Sequence, residues 1–312
     1  MQIPNHPEVP GSAQIKPQAA SIGIFGLGRM GQAFGELLIS SGVHVIAYDR
    51  DSERVQTLAR RGGTPASGVR DFAACEMVLT SLPDDDVVRA VVLSESGLAS
   101  VLRPGSIHLS TSTIGVAFCR ELDAAHRKLN QYLLAMPVLG NPEMAAKREL
   151  FILLGGSAEV IERCRPVIER LGQRSFHVGD MPWLASAMKL ACNMLTAATL
   201  QSMGEVFAFL AKVGVPPERA QEILTGSMFD GRVHKGYGQK IVDHRYTPPG
   251  MTAPLAMKDL RLLLAEAEHS NVPMPVASLL HDRLVAVQAR GWSELDWSAL
   301  GLLAAFEAGI PD

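Results

Sequence analysis

Between Met181 and Gly204 the chain carries one charged side chain, Lys189, in a stretch otherwise built of apolar and small polar residues. Asn193 stands four residues on, so a helix would put both on one face. Desolvation disfavours an ammonium and lowers its pKa toward neutrality. A lysine placed this way can polarise a carbonyl and protonate the alkoxide that forms, with Asn193 orienting the ammonium or the substrate oxygen. The residue also fits a structural account, in which Lys189 extends to solvent or pairs with a carboxylate elsewhere in the chain.

A second constellation lies near the start. Gly26-Leu27-Gly28-Arg29-Met30-Gly31 follows the apolar run Ile22–Phe25 and opens a helical pattern. Its first glycine permits a tight turn, its second lets a pyrophosphate approach the backbone, and its third packs helix on strand. The phosphates then face a helix N-terminus. Asp49 ends the next strand, where a carboxylate bonds a ribose 2′-hydroxyl. Arg50 beside it is the residue type that holds a 2′-phosphate. The expected ligand is a dinucleotide, NAD in preference to NADP, with NADP left open.

Other chemistries find little support. The nine histidines show neither HxxH nor HxxxH spacing, so no metal site is expected. Ser110 and Ser112 lack the GxSxG elbow of a hydrolase. The run Asp84-Asp85-Asp86 reads as a helix start. Cys75, Cys119, Cys164 and Cys192 are far apart and form no CxxC pair, which fits a reducing cytoplasm.

The elements that must position these residues fall into two regions. From Ser21 to about His177, strands at Ile22–Phe25, Val43–Tyr48, Met77–Ser81, Ser106–Ser110, Tyr132–Met136 and Phe151–Leu154 alternate with helices. Those helices are expected at Met30–Ser41, Ser52–Arg61, Asp84–Leu93 and Val116–Leu129. Such alternation predicts an α/β domain with a doubly wound, mainly parallel sheet, Rossmann-like, over residues 21–181. After Gly179 strand signals stop. Helices at Trp183–Val213, Glu218–Thr225, Met257–His269, Val276–Arg290 and Asp296–Ala308 predict an all-α domain over 182–312, with a loop-rich segment after Thr225. Residues 1–20 contain Pro4, Pro7, Pro10 and Pro17 and no apolar run, and read as a flexible tail without targeting signal.

Composition agrees with a globular chain of 312 residues, 47% hydrophobic and 20% charged. A net charge of −3 and 5% aromatic residues give no footprint for nucleic acid or an anionic membrane. The expected partner is a small-molecule substrate.

The motifs taken together resemble a known family. Ile24-Phe25-Gly26-Leu27-Gly28-Arg29-Met30-Gly31, Ser110-Thr111-Ser112-Thr113-Ile114, Pro137-Val138, Lys189 with Asn193, and Met257-Lys258-Asp259-Leu260 run collinear with those of the β-hydroxyacid dehydrogenases. That group holds 3-hydroxyisobutyrate dehydrogenase and tartronate semialdehyde reductase and is related to imine reductases. The resemblance implies hydride transfer between a nicotinamide and a carbonyl or alcohol carbon, with Lys189 as general acid/base and Asn193 assisting. It implies that Leu82-Pro83 and Ser112-Thr113 line the cofactor, Ser112 on the substrate side, and that Lys258 reaches cofactor and active site. It further implies a homodimer built on the helical domain.

One departure bears on the substrate. Where the family has a Ser-Gly-Gly segment for the substrate carboxylate, this chain has Leu139-Gly140-Asn141. Leu139 offers no oxygen, and a side chain at Asn141 narrows the backbone's freedom. A less polar carbonyl compound or an imine is therefore an alternative, although imine reductases usually carry aspartate or tyrosine where Lys189 stands. Tyr237, with Met228, Phe229 and His234, is expected near the pocket. A non-catalytic dinucleotide-binding relative is the alternative from another class, and Lys189 argues against it.

Overall fold

The computed structural model describes residues 21–310, so the expected tail at 1–20 lies outside the described residues. The chain runs β1 (Ile22–Phe25), α1 (Arg29–Ser40), β2 (Val45–Tyr48), α2 (Ser52–Ala59), β3 (Thr64–Pro65), β4 (Met77–Thr80), α3 (Asp85–Val92) and α4 (Leu98–Val101). It continues through β5 (Ile107–Ser110), α5 (Val116–Lys128), β6 (Tyr132–Ala135), β7 (Val138–Leu139), α6 (Pro142–Ala146), β8 (Phe151–Gly155), α7 (Ala158–Leu171) and β9 (Arg174–Gly179). Only helices follow: α8 (Pro182–Lys212), α9 (Pro217–Thr225), α10 (Arg232–Val242), α11 (Ala253–His269), α12 (Pro275–Ala289) and α13 (Ala299–Glu307).

The sheet has the order β3-β2-β1-β4-β5-β6-β8-β7, with β9 pairing β8. Strands β1 to β6 pair in parallel, while β8 runs antiparallel to β6 and β7. Every residue of β1 and β5 is buried, as helices on both faces require. Strand order reverses between β1 and β4, the place where such sheets open a crevice at their carboxyl ends. Local chemistry sets the helix starts: Asp51, Asp84, Asn141 and Ser157 each accept a first-turn backbone N–H. The acidic run at Asp84 is a cap, as its position predicts.

Helix α8 is long and apolar enough to cross a membrane by length and composition. Here it packs on β8 and α5 and on α10, α11 and α13. One expectation needs correction. The segment after Thr225 is not a loop throughout, because residues 232–242 form α10. Gly236 and Gly238 disguise it, since glycine lowers helix propensity. A Cβ at Gly238 would meet Gln221 Oε1 at 2.3 Å and Met203 Cε at 2.4 Å, so this glycine serves close helix packing rather than a turn.

His108 of β5 and His126 of α5 form a buried chain. Gln131 Nε2 donates to the carbonyls of Ala99 (2.9 Å) and Leu102 (2.8 Å), so its Oε1 faces His126 Nδ1 at 2.9 Å. His126 Nδ1 must then carry a proton and its Nε2 must accept from His108 Nδ1–H at 2.9 Å. His108 Nε2 in turn accepts the Thr80 hydroxyl at 2.8 Å. Burial pushes both imidazoles below the ordinary histidine range, His108 the further, which favours the neutral forms. The native state therefore binds these protons less readily than the unfolded chain, which takes up both below about pH 6.5. The contribution is complete above that pH and is lost as pH falls beneath it. Calorimetric unfolding at pH 5.5, in buffers of differing ionisation enthalpy, should therefore show net proton uptake, with this pair contributing up to about two protons. Uptake near zero would refute the neutral pair.

Candidate active site

The glycine loop between β1 and α1 shows which of its glycines serve the fold and which serves a ligand. A Cβ at Gly26 would meet the Ser81 carbonyl oxygen at 2.5 Å, and one at Gly31 the Gly26 carbonyl oxygen at 2.0 Å. Gly28 is different: its φ is −60° and a Cβ there would meet nothing within 4 Å. Nothing in the protein itself demands glycine at that position. An approaching pyrophosphate does, so the loop fits a dinucleotide. Asp49, at the end of β2, accepts from Leu27 N at 2.6 Å and from Asp51 N at 2.9 Å, which fixes the loop and the carboxylate together. The Arg54 guanidinium lies 3.8 Å from the Asp49 carboxylate. Arg50 is exposed.

The loops after β4 and β5 close the other side of the cradle. Leu82 N donates to Ser112 Oγ at 2.9 Å, tying the two loops to each other. Ser112 is thus already engaged by the protein. Lys258, from α11, donates to the carbonyls of Pro83 (3.1 Å) and Thr113 (2.7 Å). Arg29, exposed at the start of α1, donates to the Pro249 carbonyl in the loop before α11. Met30, next in the motif, packs on the sheet-side core. The helical region therefore stitches down the loops that would hold the cofactor.

Lys189 is half-buried on α8, and its Nζ donates to Asn193 Oδ1 at 3.0 Å. Asn193, itself buried, passes the interaction on: its Nδ2 donates to Asp259 Oδ2 at 2.6 Å. An ammonium only donates and a carboxylate only accepts, so the amide between them has one possible orientation. The other Asp259 oxygen lies 3.1 Å from Lys258 Nζ. Burial lowers the Lys189 ammonium from the ordinary lysine range, and the Asp259 carboxylate opposes that shift. The carboxylate that the structural account of Lys189 called for thus exists, and it reaches the ammonium through Asn193. Asp259 stands in the Met257-Lys258-Asp259-Leu260 motif, where the sequence shows an acidic residue between Ala256 and Leu260 and the fold shows it buried on α11.

At the corner after β7, Leu139 packs on the apolar cluster that contains Ala185 of α8. Gly140 has φ +137°, a conformation that favours glycine. Asn141 has φ −127°, and its Oδ1 caps α6 by accepting from Met144 N at 2.9 Å. The expected backbone restriction at Asn141 has no consequence, because extended φ suits any residue. The backbone N–H groups of Gly140 and Asn141 donate to no acceptor among the described residues. Tyr237, on α10, stands edge-on to Trp297 with ring centroids 5.8 Å apart, and burial pushes its phenol up to about 12. Met228 is almost fully exposed, and Phe229 packs on His234 at 5.5 Å. Among the described residues no group of three His, Cys, Asp or Glu is placed to hold a metal ion.

Comparison with known proteins agrees with this geometry. Residues 21–179 match the NAD binding domain of 6-phosphogluconate dehydrogenase, and residues 184–303 match the NAD-binding domain of NADP-dependent 3-hydroxyisobutyrate dehydrogenase. The chain is 34% identical over 280 residues to an uncharacterized oxidoreductase of Bacillus subtilis, YfjR, covering 89% of this chain and 98% of that protein. It is 26% identical over 286 residues to an L-threonate dehydrogenase of Cupriavidus necator, covering 90% and 94%. The crystal structure of a 3-hydroxyisobutyrate dehydrogenase from Salmonella typhimurium superposes with a TM-score of 0.81 at 26% identity, over 91% of this chain and 99% of that one. With a dinucleotide cradle at the sheet's switch point and a collinear match over both regions, the chain belongs to the β-hydroxyacid dehydrogenase family of NAD(P)-dependent oxidoreductases.

Proposed function

We propose that this enzyme interconverts a 3-hydroxy acid, or the hydroxy compound of a semialdehyde, with its carbonyl form, and that Lys189 is the proton donor and acceptor. The observation that carries the reading is the hydrogen-bonded row Lys189–Asn193–Asp259. When bound, the nicotinamide supplies or accepts the hydride. Lys189 then protonates the oxygen of a carbonyl being reduced, or takes the hydroxyl proton from an alcohol being oxidised. Asn193 holds Nζ in place, and Asp259 offsets part of the desolvation that burial imposes on the ammonium. Gly26, Leu27, Gly28, Arg29, Met30 and Gly31 would carry the cofactor phosphates, with Leu82, Pro83 and Thr113 across from them. The free N–H groups of Gly140 and Asn141 would meet the substrate's acid group, which Leu139 cannot. Division of labour at 181/182, a sheet-bearing cofactor domain and a helical domain, belongs to this reading, as does a cytoplasmic location.

NAD is the cofactor we assign. Asp49 presents a carboxylate at the end of β2, where a 2′-phosphate would be repelled. A homodimer on α8 completes the reading. Leu184, Met188, Leu195, Val206, Phe209 and Val213 are exposed and fall on one stripe along this helix. A second copy laying the same stripe against it would cover both.

Four measurements test these assignments. Lys189→Ala should retain NADH affinity and lose about two to four orders of magnitude in turnover. Loss of less than about threefold would reduce Lys189 to a structural residue. In wild type the reduction rate should fall as pH rises through a pKa below the usual ~10.4, and the oxidation rate should rise through the same pKa. Flat profiles would remove Lys189 from the proton transfer. NADH should bind tighter than NADPH, and Asp49→Asn, which keeps an acceptor for Leu27 N, should narrow the gap. Equal affinity in wild type contradicts the cofactor assignment. Sedimentation at micromolar concentration should show a dimer that Leu195→Glu/Phe209→Glu disrupts, and a wild-type monomer alone would disprove the α8 interface.

A further inference from the structure

Lys240 belongs to none of the sequence motifs, yet the fold brings it to the substrate corner. On α10 its Nζ donates to Asp296 Oδ2 at 3.3 Å and lies 5.2 Å from the centroid of the Tyr237 ring. Its side chain is 23% exposed, whereas that of Asp296 is 0% exposed. Asp296 is richly satisfied without it. Oδ1 accepts from Ser298 N (3.1 Å) and Ser298 Oγ (2.7 Å), and Oδ2 accepts from Gly250 N (2.7 Å) and Met251 N (3.4 Å). An ammonium has three donors, and Lys240 spends one of them on an acceptor among the described residues.

Three parts of the chain converge beside it. A Cβ built on Gly250 would lie 3.3 Å from Asp296 Oδ2, 3.8 Å from Lys240 Nζ and 3.9 Å from Asn141 Cβ. The ammonium from the helical region thus stands across Gly250 from Asn141, at the corner where the family's serine is missing. That corner also presents the unpartnered N–H groups of Gly140 and Asn141. Pro249, one residue before Gly250, holds Arg29 of the dinucleotide loop. On the other side, β7 lies along α8, the helix that bears Lys189.

We propose that Lys240 is the residue that recognises the acid group of the substrate, with the N–H groups of Gly140 and Asn141 beside it. The substrate class is then an anionic carbonyl compound or hydroxy acid rather than a neutral one. The proposal rests on the oxidoreductase reading above and adds the specificity determinant to it. Asp296 and the Tyr237 ring fix the ammonium in advance, so little side-chain entropy is lost when an anion binds. An anion between this ammonium and two backbone amides receives charge-assisted hydrogen bonds without any oxygen from position 139. The competing account is that Lys240 only neutralises Asp296.

The experiment compares two four-carbon aldehydes, succinic semialdehyde and butanal, which differ by the terminal carboxylate. Their kcat/KM ratio with NADH is measured for wild type, Lys240→Met, Lys240→Arg and Asn141→Asp. Aspartate caps helices as asparagine does, so Asn141→Asp keeps α6 while placing a negative charge at the corner. The ratio should fall about ten- to a hundredfold in Lys240→Met, mainly through KM, and at least about tenfold in Asn141→Asp, whereas Lys240→Arg should stay within about fivefold of wild type. Binding of 4-hydroxybutanoate to the enzyme–NADH complex, read by calorimetry, should weaken in parallel. A ratio unchanged in folded Lys240→Met and in Asn141→Asp overturns the proposal. So does a wild type without preference for the anionic aldehyde, which leaves the oxidoreductase reading standing. If wild type reduces neither aldehyde but binds the hydroxy acid in a Lys240-dependent way, the acid site holds and the oxidoreductase reading falls.

Discussion

A positive charge half-buried against packed protein must find a counter-charge, and at Lys189 that requirement organises the site. Lys189 has no carboxylate on α8 near it, and Asp259 sits on another helix. Asn193 bridges them with one amide, accepting from the ammonium and donating to the carboxylate. The bridge works only if α8 and α11 pack in one register. A shift of either helix would leave a buried charge facing an apolar wall, at a cost of several kcal/mol. The geometry of the Lys189–Asn193–Asp259 row and the packing of the two helices are therefore the same constraint.

The second carboxylate oxygen extends that constraint to the cofactor loops. Lys258 stands beside Asp259 and donates to the carbonyls of Pro83 and Thr113, each from a loop at the sheet's carboxyl edge. Arg120 of α5 pairs with Glu266 of α11 through two hydrogen bonds, 3.2 and 2.8 Å, with its guanidinium over the Trp183 ring. Arg29 adds its bond to Pro249. These contacts hold the crevice between the sheet and the helices at a set width. Hydride transfer needs such fixed spacing between nicotinamide, substrate and proton donor.

The corner at Leu139 is where this chain departs from the family's Ser-Gly-Gly segment. The loss of a hydroxyl there is a real loss of a ligand, since Leu139 turns into the apolar cluster against α8. Gly140 keeps its left-handed backbone, and Asn141 takes up the cap of α6. Backbone N–H groups remain at this corner, and the Lys240 ammonium stands across Gly250 from Asn141.

Much of this was legible in the residues alone. Alternating apolar runs specify the sheet, because strands buried on both faces must be apolar throughout. The glycine spacing and Asp49 specify the cradle, and the lone Lys189 with Asn193 four residues on specifies a polar pair on one face of α8, because each is local in sequence. Helix α10 was hidden, since Gly236 and Gly238 suppress helix propensity and only the packing against Gln221 and Met203 explains the second of them. The partner of Lys189 was hidden as well. Asp259 lies 66 residues from Asn193, and Asp296 lies 56 from Lys240. No periodicity links residues on different helices. Burial decides such pairs, because a charge removed from water takes whichever counter-charge the packing delivers, and packing exists only in the folded chain.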